Sequence, residues 1–147
     1  MLIKIEQPPK AEFSQVWCDY KDGVRLLIAS SNKPSFNRAL ELNNMQAEQE
    51  LQGAKAITDD TAEGSKLAFN RAISHLLLGW TGIDAEPNKP FEYSAKNAEI
   101  LCTQTQESLE IATFVINKAF ELEKDRTTTL AEEVGKSSDS TSKESTE

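Results

Sequence analysis

Apolar and polar side chains alternate near the start of the chain: Val16, Cys18 and Tyr20 interleave with Gln15, Trp17 and Asp19. After Lys21-Asp22-Gly23 the alternation resumes at Val24, Leu26 and Ile28. A period of two on both sides of a short turn predicts a β-hairpin over about residues 13–30, with Gly23 supplying positive φ. Two strands alone are marginal in water, so helices or another chain must cover the apolar face. Upstream, the adjacent Pro8 and Pro9 block helix and read as an extended lead-in.

The period then changes. Phe36, Ala39 and Leu40, followed more thinly by Ala47 and Leu51, recur at helical spacing behind Pro34, predicting a helix over about 34–51. A weakly periodic stretch reads as a hinge or helix restart. From Leu67 the pattern sharpens. Phe69, Ala72, Ile73, Leu76, Leu77 and Trp80 fall on one broad face, and this predicts a core helix over about 59–79, its end bracketed by Gly79 and Gly82. Ser94 is an N-cap for a helix over about 95–103 carrying Ala98, Ile100, Leu101 and Cys102. Leu109, Ala112, Val115, Ile116, Ala119 and Phe120 predict a last helix over about 107–124.

Beyond about residue 126 apolar residues thin out and a Ser/Thr-rich, acidic block closes the chain. Such a composition cannot bury enough surface to offset its ordering entropy, so 127–147 reads as a flexible tail. The expected fold is therefore α+β: one mainly α-helical domain over 1–126 with an N-terminal β-hairpin and a disordered C-terminal tail.

Charge narrows the partners. With a formal net charge of −8 over 147 residues there is no surplus basic surface to neutralise phosphates, so nucleic acid is not expected as a partner. No apolar run reaches the roughly 18–20 residues of a membrane span, and the N-terminus lacks a signal-peptide core. A cytosolic location is expected. Cys18 and Cys102 read as free core cysteines in a reducing compartment.

Candidate chemistry is sparse. The single histidine, His75, lies inside the strongest periodic segment and reads as a satisfied or surface residue rather than a base. Asp59, Asp60 and Glu63 could be read as a cation site, but acids in a first helical turn are what the macrodipole favours. Gly135-Lys136-Ser137-Ser138 lacks the upstream glycine and strand of a phosphate loop. Neither a catalytic group, a metal site nor a cofactor is expected. An enzyme using Asp59, Asp60 and Glu63 with a metal is the remote alternative.

The aromatics say more than the acids. Trp17 faces away from the Val16/Cys18/Tyr20 side of its strand; a partner covers it, or it lies half-buried at the sheet edge. Trp80, Ile83, Phe91 and Tyr93 surround Pro87 and Pro90 between two expected helices. They either pin that corner or form an apolar ledge for a partner. Trp17, Trp80, Ile83, Phe91 and Tyr93 are accordingly the candidate partner-binding residues.

The order of these parts resembles the tail assembly chaperones of long-tailed bacteriophages, in the short, non-frameshifted form. The shared features are Leu77-x-x-Trp80, a Gly82-Ile83-Asp84 turn, the Pro90-Phe91 pair, the Ser94 cap and Asn97-Ala98 at the next helix start. The resemblance runs over about 13–124, with Asn88 and Lys89 where the family often has a glycine. It implies a non-enzymatic chaperone that binds the tape measure protein and helps the tail tube protein polymerise around it. Such a protein works in the host cytoplasm and is absent from the mature virion. In many members a frameshift adds a second domain, and Gly135-Lys136 is compatible with slippery codons of that kind. Self-association into a homo-oligomer through the hairpin or the last helix would cover the spare Trp17 face. The alternative class is a structural head-tail joining or tail-completion protein of the virion.

Overall fold

The computed structural model describes residues 1–7, 12–52 and 57–146, with the side chains of 50–52 and 133–146 left undescribed. Pro8 and Pro9 of the expected lead-in lie outside the described residues, as do residues 53–56 at the start of the stretch expected as a hinge or helix restart, which restarts as helix at Asp59. The architecture is α+β, a small antiparallel sheet covered on one face by helices.

β1 (Gln15–Asp19) and β2 (Arg25–Ala29) form the expected hairpin, in the register Trp17↔Leu27 and Cys18↔Leu26. Asp22 and Gly23 both take positive φ, 58° and 74°, as a two-residue turn with the right-handed twist of the strands demands. α1 (Pro34–Gln52) follows. α2 (Asp59–Ile73) starts at a reciprocal Thr58/Thr61 capping box, with Asp59 and Asp60 in its first turn. The acids therefore sit where the helix dipole favours them.

The segment expected as helix over 59–79 ends early. After Ile73 the chain makes a single 3-10 turn over Ser74–Leu76 and becomes a third strand, β3 (Leu77–Thr81), antiparallel to β2. The reason is tertiary. A short apolar run fits a buried strand as well as a helix, and pairing with β2 satisfies backbone groups that a fraying helix end would leave open. The bulge between Leu27 and Ile28 absorbs one extra residue of this run. Gly79 accordingly sits in a strand instead of capping a helix, whereas Gly82, at φ 82°, does take the left-handed conformation. Phe69, expected in the core stripe, is 38% exposed.

The corner that follows is itself a small hairpin, β4 (Asp84–Glu86) with β5 (Lys89–Pro90), turning at Pro87-Asn88 with Asn88 at φ 62°. α3 (Ala95–Thr103) begins at Ser94, whose Oγ accepts from Asn97 N–H at 2.9 Å. α4 (Ser108–Thr146) starts as expected, but its helical backbone continues far past 124. Burial ends near Arg126, and residues 127–132 are all exposed, so helix propagates from a packed stem into solvent. The core joins Leu26 and Ile28 of β2, Phe36 of α1, Ile73, Leu76 and Leu77, and Leu101, Ile111 and Val115 of α3 and α4.

Candidate functional site: an apolar cleft beside the corner

Trp80 belongs to the inner face of the sheet, opposite Leu26, and is only 8% exposed. Its Nε1–H donates to the Phe91 carbonyl at 2.5 Å, its ring stacks on Phe91 at 5.6 Å and 21°, and Tyr93 meets it edge-on at 5.2 Å. Phe91 N–H in turn donates to the Ile83 carbonyl at 2.8 Å. Four of the five residues singled out from the sequence, Trp80, Ile83, Phe91 and Tyr93, therefore form one aromatic corner that joins β3 to α3 rather than two helices. Trp80 is core, while Tyr93 remains 44% exposed.

Trp17 stands apart from them. It pairs with Leu27 on the outer face of the sheet, the face opposite Trp80, and is 41% exposed. Its ring lies against Gly79 and under the Arg25 guanidinium, 5.7 Å from the centroid. Trp17 is thus exposed at the sheet edge.

Next to the corner opens a cleft of ≈ 520 Å³ walled by Tyr20, Val24, Ile83, Phe91, Ile100 and Ile111. These are partly buried except Ile111, which is buried, so the walls are apolar and accessible from one side. Asp22, Asp84 and Glu107 stand on the rim. The one cation there among the described residues, Lys21, is held by Glu110 at 2.7 Å and Glu107 at 3.1 Å. Those hydrogen bonds push the Lys21 ammonium above its ordinary range and hold the Glu110 carboxyl below its own. The rim's net charge is therefore negative.

The Tyr20 hydroxyl is buried beside the Glu110 carboxylate. Burial raises the phenol pKa, and the nearby Glu110 carboxylate raises it further. Tyr20, Val24, Ile111 and the Lys21 ion pairs escaped the reading of the sequence. They meet across 89 residues from Lys21 to Glu110, and no local pattern signals that contact.

Other candidates stay apart. His75 is exposed in the 3-10 turn, its imidazole pKa lowered first by desolvation and then by the Lys33 charge. Cys18 and Cys102 are free thiols. Among the described residues no group of three or more His, Cys, Asp or Glu is assembled to hold a metal ion. No helix there is long and apolar enough to cross a membrane.

The fold and its cleft define a small α+β domain whose accessible special surface is apolar with an acidic margin. Residues 31–136 match the sequence model of the family described as YdaY prophage protein, and the chain belongs to that family. It is thus a prophage protein, the coarser part of what its resemblance to phage tail chaperones implied. No curated protein matches the chain, and no solved structure does.

Proposed function

We propose that this prophage protein is a tail assembly chaperone: a non-enzymatic binding protein that holds apolar segments of the tape measure protein while tail tube protein polymerises around them. The observation that carries the reading is the apolar cleft with its acidic rim. A groove of this kind takes the aliphatic side chains of an amphipathic helix. The chain's net charge of −8 keeps such a complex soluble. Membership of a prophage family supports the phage setting. In this reading the protein acts in the host cytoplasm and leaves no copy in the finished particle.

The test is co-expression with the tape measure protein encoded by the same prophage. The chaperone reading expects that partner to become soluble and to co-purify, and expects Ile83→Glu, which places a charge in the cleft wall, to abolish both effects. Unchanged solubility with the wild-type chain would sink the proposal. Mass spectrometry of purified virions addresses the structural alternative, since a head-tail joining or tail-completion protein would be found in the particle.

A further inference from the structure

The three-stranded sheet has the order β1-β2-β3, which leaves β1 as an edge. Ser30 N–H donates to the Ser14 carbonyl and Tyr20 N–H to the Val24 carbonyl, both at 2.8 Å. Even-numbered residues of this strand therefore point their backbone groups at β2. By the alternation of an antiparallel ladder, the N–H and C=O groups of Gln15, Trp17 and Asp19 point away from β2, with no backbone partner among the described residues. Unpaired edges of this kind are templates for another strand, and proteins that leave them unpaired usually blunt them with proline, a bulge or lysine. None of these devices occurs in Gln15-Val16-Trp17-Cys18-Asp19.

The flanking surface is apolar. Val16 is 40% exposed although it lies on the inner, helix-covered face, because among the described residues no strand continues the sheet beyond it. On the helix packed beneath, Leu109 and Phe120 are exposed about three turns apart, hence on one side of α4. Leu109 and Phe114 line a shallow depression together with Tyr20. Strand edge and helix flank both carry exposed apolar side chains.

The strand is complementary to itself. We propose that β1 is the dimerisation edge of this protein, pairing antiparallel with β1 of a second copy about a two-fold axis at Trp17. This register sets Trp17 opposite Trp17, Gln15 opposite Asp19 and Val16 opposite Cys18. Just beyond the strand it sets Phe13 opposite Lys21. Within the strand no two like charges face each other, which favours a second copy as the occupant. Every outward backbone group of Gln15, Trp17 and Asp19 finds a partner, and all five strand residues are used. A register slipped by two residues uses fewer of them. The two sheets become one of six strands, with the exposed flanks of both α4 helices on the same face.

The register has a specific chemical consequence. Val16 and Cys18 of opposite copies form a non-hydrogen-bonded pair, the closer of the two antiparallel pair types and within disulfide reach. Full-length Val16→Cys is therefore expected to give a disulfide-linked dimer under mild oxidation, read on a non-reducing gel. Val16→Cys with Cys18→Ser should lose the cross-link, and the oxidised wild-type chain should form none. In sedimentation velocity the wild type should run at twice the chain mass. Gln15→Pro, which removes an outward N–H while leaving the β2 ladder intact, should run as a monomer with an unchanged circular dichroism spectrum. A monomeric wild type would overturn the proposal, as would a cross-link that survives in the double variant or fails to form in V16C.

Discussion

Trp80 and Phe91 hold each other twice, by an indole N–H to carbonyl hydrogen bond of 2.5 Å and by rings stacked at 5.6 Å. The pair ties the last strand of the sheet to the loop that launches α3, so it fixes the position of Phe91 in the cleft wall. Trp80→Phe keeps an aromatic ring but removes the donor and leaves the Phe91 carbonyl unsatisfied. A loss of about 1–2 kcal/mol is expected for such a buried bond. Equilibrium urea unfolding measures it, and no change in the midpoint would show that the bond contributes nothing.

Gly79 and Gly82, three residues apart, should respond to alanine with opposite signs. A Cβ on Gly79 would meet Leu27 Cβ and Trp17 Cη2 at 3.6 Å, an ordinary contact, in a residue without positive φ. Gly79→Ala is expected to be neutral or to stabilise by up to ~1 kcal/mol, through reduced entropy of the unfolded chain. At Gly82, φ is +82° and a Cβ would lie 2.8 Å from the Gly23 carbonyl oxygen, which is backbone and cannot swing away. Gly82→Ala should cost about 1–3 kcal/mol. Thermal melts of the two variants side by side check both signs.

Local chemistry made much of this fold legible. The Val16 to Ile28 alternation around Asp22-Gly23 gave the hairpin, and Ser94 marked the start of α3, because each signal lies within a few residues. Leu77 to Trp80 misled because their apolar spacing suits a helix, and only the presence of β2 alongside turns them into strand. The aromatic corner could be read from Trp80, Phe91 and Tyr93, which are close in sequence. The cleft could not. Its other wall comes from Tyr20, Ile100 and Ile111, and its rim charge depends on Lys21 being held by two distant glutamates. Pairings over such separations leave no periodic trace in one sequence.

Cys18 and Cys102 differ in burial, and their reactivity should differ accordingly. Cys102 is wholly enclosed between α3 and the core, and burial pushes its thiol up to about 12. Cys18 is only partly buried, and its thiol is raised chiefly by desolvation, with the Lys118 charge opposing. Alkylation by iodoacetamide at pH 8 should modify Cys18 first, while Cys102 reacts only as the chain unfolds. Peptide mapping after timed quenching checks the order, and equal rates at the two sites would contradict it.

His75 makes the acid side of the stability profile testable. Desolvation and the neighbouring Lys33 charge lower its pKa below the ordinary 6.5, against a smaller opposing pull from Glu99. The neutral imidazole is therefore favoured in the folded chain, and the unfolded chain binds the proton more readily. Its contribution is fully present above about pH 6.5 and is lost as the pH falls through the lowered folded value. His75→Gln should flatten the melting-temperature profile over that interval while leaving the value at pH 8 nearly unchanged. An NMR titration of the imidazole supplies the independent check: a midpoint at or above 6.5 in the folded protein would remove the basis for the effect.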